Sequence, residues 1–177
     1  KALSTNWFDN TVSRIDAGTK AVLGEYIAGA SPAHVTSDYA GANWYATIEG
    51  SNYIQAFKQT TMARGATATI GGYGPHGIWY ANGKLVTTNS MDSTFSIVNA
   101  SQMTHLATID LKPGGNYPLG ASANSTATLG AAGNCLSANV SIIDLVNNVK
   151  IRDIPVPGSC AVQVPFTPDN QYIVAAN

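Results

Sequence analysis

The chain has 177 residues, a formal net charge of −1, 45% hydrophobic residues and only 11% charged residues. That length suits one ordinary domain with its own core and is short for two. Charge this low, against roughly 25% in soluble domains, with no basic run, argues against nucleic acid and anionic membranes as partners; no apolar run reaches the roughly 18 residues of a spanning helix.

In chain order, KALSTN (1–6) reads as a strand, and NTVSRID (10–16) alternates apolar and polar residues as a half-buried strand does. A polar turn, AGTK, leads to VLGEYIA (22–28), a second strand. ASPAHV (30–35) is a proline turn entering a third strand, and NWYATIE (43–49) is a fourth. The order then starts again, with NYIQAFK (52–58), YGPHGI (73–78) and GKLVTTN (83–89), then STFSIVN (93–99), ATIDL (107–111), NYPLGA (116–121) and STATLGA (125–131). The last round is NVSIID (139–144), VKIRDIPV (149–156), PGSCAVQV (157–164) and NQYIVAAN (170–177). Gly, Asn and Pro fill the intervening turns, where positive or fixed φ is needed.

The starts of NTVSRID, NYIQAFK, STFSIVN and NVSIID lie 42, 41 and 46 residues apart, and Pro32, Pro75 and Pro118 recur at intervals of 43 and 43. Cys160 stands close to the fourth proline position. Four short strands per roughly 42 residues is the period of a propeller blade. The spacing predicts an all-β protein with almost no helix. It would be built of β-propeller blades of four antiparallel strands, in four repeat units at 7–49, 50–89, 90–135 and 136–177. A β-sandwich with coincidental spacing is the alternative. The third unit reads as degraded, STATLGAAGNCLSAN carrying an insertion.

DNTVSRID (9–16), GASPAHV (29–35), YGPHGI (73–78), ANVSIID (138–144), FTPDNQYIVAAN (166–177) and ALSTN (2–6) carry a resemblance to the YVTN-type β-propeller repeats. It covers essentially the whole chain. Such repeats occur in surface-layer, lactonase-like and redox-associated propellers, so the resemblance implies a fold and an extracytoplasmic setting (periplasm, cell surface or secreted) more than an activity. Propellers close with about 4–8 blades. The repeat count therefore suggests part of a longer propeller, or a half-ring closed by association, a homodimer for example, more than a complete ring of four.

His34 and His76 follow the proline by two and one residues in consecutive units. In the resembling propellers that point enters the innermost strand near the mouth of the central channel. Two imidazoles there are candidate ligands for copper, zinc or iron; the plainer reading has them bonding a neighbouring blade's backbone. Leu119, Gly120, Ala161 and Val162 stand at the matching positions and offer no further ligand. Glu49 takes the place where other units have Asn6, Asn89 and Asn177, and is a third candidate at the channel mouth as ligand or base, the plainer reading being a solvated loop end. His105 is expected to face solvent, and Asp16, Asp144 and Asp169 to cap turns. No G-x-S-x-G, S-x-x-K, H-E-x-x-H or phosphate loop occurs, so no catalytic residue is assigned. The absence of C-x-x-C-H excludes covalent haem c within the chain.

Cys135 and Cys160, 25 residues apart, read as a disulfide between adjacent units in an oxidising compartment, with two buried thiols as the alternative. Asn99, Asn124 and Asn139 begin N-x-S/T triplets. Trp7, Trp44, Trp79, Tyr45, Tyr73 and Tyr80 are expected to pack between blades, the alternative being an exposed aromatic platform for sugars. The favoured function is a scaffold or protein-interaction module whose partners are a protein or the remaining blades, with no cofactor. The alternative is the propeller part of a metal-dependent enzyme, a lactonase-like hydrolase or a redox enzyme.

Overall fold

Alternation sets the strands. In β10 (Thr94–Asn99), Phe95 and Ile97 turn into one buried layer while Ser96 turns the other way to a hydroxyl network. The computed structural model describes residues 1–158 and 160–177; Ser159, within the fourth copy of the proline anchor, lies outside the described residues. Strands β1 (Ala2–Asn6), β2 (Thr11–Asp16) and β3 (Ala21–Ile27) form a three-stranded antiparallel sheet. Three four-stranded meanders follow. The second sheet is β4 (Pro32–Ser37), β5 (Asn43–Ile48), β6 (Tyr53–Lys58) and β7 (Arg64–Thr69). The third is β8 (Pro75–Ala81), β9 (Lys84–Asn89), β10 and β11 (Thr104–Asp110). The fourth is β12 (Pro118–Ala123), β13 (Leu129–Asn134), β14 (Asn139–Asp144) and β15 (Val149–Pro155). Beyond them, Gln163 bridges Ala176 and Phe166 bridges Ile173. The helix described is a single 3₁₀ turn, Glu49–Ser51.

Inner strands β4, β8 and β12 lie side by side, and the outer strands meet more sparsely. That is the arrangement of propeller blades. The sheets are not closed into a ring.

One apolar core fills each junction. Val12, Ile48 and Phe57 lie between the first two sheets, and Ile54, Ile78, Leu85 and Val98 between the second and third. Phe95, Ile97, Leu111, Ile143 and Leu145 lie between the third and fourth. Val140, Ala161 and Val164 join the fourth sheet to the final segment. Each fully buried aliphatic or phenyl side chain stabilises its junction by roughly 1.5–3 kcal/mol.

Positive φ recurs in register. The residue before β2, β6, β10 and β14, which occupy equivalent places, is left-handed: Asn10 at 59°, Asn52 at 56°, Ser93 at 62° and Ala138 at 49°. Asn bears this conformation more easily than Ala does.

Two expectations are corrected. The fourth sheet is regular, because β13 and β14 pair without a register shift and Asn134 faces Asn139 as Asn89 faces Thr94. The β12–β13 connection, 124–128, is as long as the β4–β5 connection, 38–42, and is closed by Asn124 Oδ1, which accepts from the amides of Thr128 and Leu129; the connection before β12, 111–117, is longer than the one before β8, 70–74. Glu49 does not take the asparagine place. Ile48 does, since it pairs with Tyr53 as Asn89 pairs with Thr94, and it is buried against Phe57.

Candidate functional site

The inner strands start with a break in register. Pairing in β4 skips from Pro32 to Val35, and in β8 from Pro75 to Ile78. His34 and His76 sit in these bulges, which re-aim side chains away from the regular pleat. Because one follows its proline by two residues and the other by one, they are not equivalent positions. They meet across the junction, ring centroids 4.6 Å apart and planes tilted by 49°.

Thr47 fixes the backbone around them. Its Oγ1 accepts from the His34 amide at 3.0 Å and donates to the His76 carbonyl at 2.7 Å. His76 Nδ1 lies 3.2 Å from the Leu119 carbonyl, so this nitrogen donates and leaves Nε2 as the lone-pair nitrogen of the neutral ring. Burial pushes His34 down to about 4, helped by the neighbouring His76. Burial also lowers His76, opposed by the Leu119 carbonyl. Both rings are therefore neutral at pH 7, the form in which imidazole binds metal. His34 lines an open depression of about 300 Å³ with Leu3, Ser4, Thr5, Ala33 and Val35. Among the described residues, no group of three or more His, Cys, Asp and Glu side chains is placed to hold a metal ion.

Glu49 is not a solvated loop end: it is 6% exposed, and its Oε1 accepts from Ser90 Oγ at 3.3 Å across the junction of the second and third sheets. Its Oε2 is buried without a partner. Burial pushes this carboxyl up to about 7, the Ser90 hydrogen bond opposing. A carboxyl poised there can exchange a proton near neutrality.

Cys135 and Cys160 form a disulfide that fastens the end of β13 to the start of the final segment. The acidic turn caps stand as read from sequence: Asp16 accepts from the amides of Gly18 and Thr19, and Asp144 from those of Val146 and Asn147. Asp169 likewise accepts from the Gln171 amide. His105 is exposed and bonds Thr108. Tyr45 is buried, and Trp44 and Trp79 pack against the cores, whereas Tyr73 is exposed. Of the N-x-S/T asparagines, Asn124 and Asn139 are buried and hydrogen-bonded.

Two repeated devices escaped the sequence reading. Thr5, Thr47 and Thr88 each donate to the carbonyl just past the next proline, on Ala33, His76 and Leu119. Asn6, Asn89 and Asn134 each donate to the residues five and seven positions on, Thr11 and Ser13, Thr94 and Ser96, Asn139 and Ser141. The Thr-Asn pairs at 5–6 and 88–89 were the available signal.

No protein-family profile matches the chain. No curated protein matches it. Among solved structures it is similar to hydrazine synthase of Kuenenia stuttgartiensis, with a TM-score of 0.74 and 17% identity over 81% of this chain and 41% of that one. The chain thus spans less than half the length of that relative. At such identity the likeness concerns the fold, and with the series of four-stranded meanders it makes the described structure a β-propeller-type domain.

Proposed function

We propose that the chain is an extracytoplasmic propeller module acting as a scaffold or protein-interaction surface, completed by a protein partner, by further blades or by a second copy. The observation that carries this reading is where the polar side chains go. Thr5, Thr47, Thr88, Asn6, Asn89 and Asn134 are spent on holding sheets together and strands in register. Large aliphatics, in contrast, stand exposed on outer strands, at Val22, Leu23 and Ile27 of β3 and at Val149 and Ile151 of β15. The disulfide supports an oxidising setting, and among the described residues no helix is long and apolar enough to cross a membrane. The 42-residue repeat, with units at 7–49, 50–89, 90–135 and 136–177, is the proposed unit of duplication.

A second reading is favoured by one observation, the contact of two neutral imidazoles. In it His34 and His76 hold copper, zinc or iron as part of a hydrolase or redox enzyme, Glu49 serving as base or ligand. Native mass spectrometry without chelator separates the two. The scaffold reading expects metal-free protein whose melting temperature is indifferent to zinc, copper and chelator. A stoichiometric metal lost in His76→Ala would overturn it in favour of the second.

A further inference from the structure

At the other end of the inner strands a cavity of about 260 Å³ opens between four successive repeats. Tyr39, Asn82, Ser125 and Thr167 border it, each seven residues beyond Pro32, Pro75, Pro118 or Cys160. The same place in every repeat thus carries a neutral hydrogen-bonding group. Trp79 and Phe166 supply aromatic walls, and among the described residues no charged side chain lines the space.

Tyr39 is 77% exposed, so core packing does not account for it. It is nonetheless held in place. Its ring meets Tyr80 in a T-shaped contact at 5.8 Å, and Tyr80 is stacked on the buried Tyr45 at 6.3 Å. An aromatic ring held this way offers contact area at little entropic cost. The polar groups are also positioned in advance. Asn170 Oδ1 accepts from the Ser125 amide at 2.9 Å, and its Nδ2 donates to Ser125 Oγ at 2.8 Å. Asn82 Nδ2 donates to the Thr126 carbonyl at 3.2 Å.

We infer that this cleft binds a neutral carbohydrate, with a sugar ring stacked on Tyr39 and Trp79 and its hydroxyls met by Asn82 and Ser125. The lining has no cation to neutralise a phosphate or carboxylate and no carboxylate to hold a metal or amine. Aromatic faces beside amides and hydroxyls suit a ligand with apolar C–H faces and hydroxyl edges. The volume falls just below the roughly 300 Å³ of drug-sized sites, which sets the bound portion at one or two rings.

The test is saturation-transfer NMR on the intact chain with maltotriose, cellotriose, chitotriose and mannotriose, and with adenosine as a neutral non-sugar ring. At least one trisaccharide should give signal and bind about tenfold more weakly to Tyr39→Ala. Trp79→Phe, which keeps the core filled, should also weaken it. Tyr73→Ala, at an exposed tyrosine outside the cleft, should leave binding unchanged. No trisaccharide signal, equal loss in Tyr39→Ala and Tyr73→Ala, or tighter binding of adenosine than of any sugar would overturn the inference.

Discussion

Thr47 and His76 are joined across a sheet junction by a 2.7 Å hydrogen bond from hydroxyl to carbonyl, and the same hydroxyl accepts the His34 amide. Thr47 is fully buried. Thr47→Val keeps the shape and deletes both bonds, leaving a buried donor and acceptor unmet. The expected loss is about 2–3 kcal/mol in urea unfolding, with Thr47→Ser much closer to wild type. Equal stability of the valine variant would show that water replaces the hydroxyl.

Glu49 gives the fold a pH dependence of definite sign. Its carboxyl is raised from 4.5 to about 7 in the folded chain. Below the unfolded value it is neutral in both states and its burial imposes no charge penalty. Between 4.5 and about 7 the unfolded chain has released its proton while the folded chain still holds it, so stability falls across that window, by about 3 kcal/mol in all. Glu49→Gln should match wild type in melting temperature at pH 4 and exceed it at pH 8. A constant difference across that range would refute the assignment.

His34 acts in the opposite direction. Its folded value is depressed from 6.5 to about 4. The stability it confers is complete above 6.5 and is lost as pH falls through 4. Its ring should stay neutral at pH 5.5 by NMR, and in His34→Asn the acid limb of the stability profile should flatten.

The Cys135–Cys160 bridge closes a loop with a sequence separation of 25. Loop entropy gives it about 3 kcal/mol. The Cys135→Ser/Cys160→Ser variant should lose about that amount, and reductant should then have no further effect on it.

Ala138 sits at φ 49°, where the equivalent positions in the first two sheets hold Asn10 and Asn52. Ala138→Gly should therefore stabilise the protein by about 1 kcal/mol. Destabilisation would mean that the methyl group makes packing contacts worth more than the backbone relief.

The strand pattern was legible because alternation and proline spacing are local signals: NTVSRID and STFSIVN became β2 and β10 almost to the residue. The place of Asn134 was not, because LGAAGN has no β-branched residue and does not look like a strand. STATLGA, richer in strand letters, drew the alignment a few residues too early. Glu49 was misplaced by one residue for a similar reason, the asparagine register being filled by Ile48. The pairing of His34 with His76 was visible as two histidines near successive prolines. Their ring contact depends on bulges at Pro32 and Pro75, which set one offset against the other. The cleft at Tyr39 was hidden because its members come from four repeats and share no local motif.

Thr5, Thr47 and Thr88 rivet each sheet to the next, but the fourth counterpart is Gly133. A Cβ there would stand 2.5 Å from the Ala161 carbonyl, so no hydroxyl fits. This is the junction that the disulfide spans. The arc therefore has a fracture line whose strength follows the redox state of its surroundings. In an oxidising medium the final segment is clamped down. In a reducing one it is held without a covalent tie, by the Val140, Ala161 and Val164 core and by hydrogen bonds from Ser122 to the Val164 carbonyl and between Ser125 and Asn170.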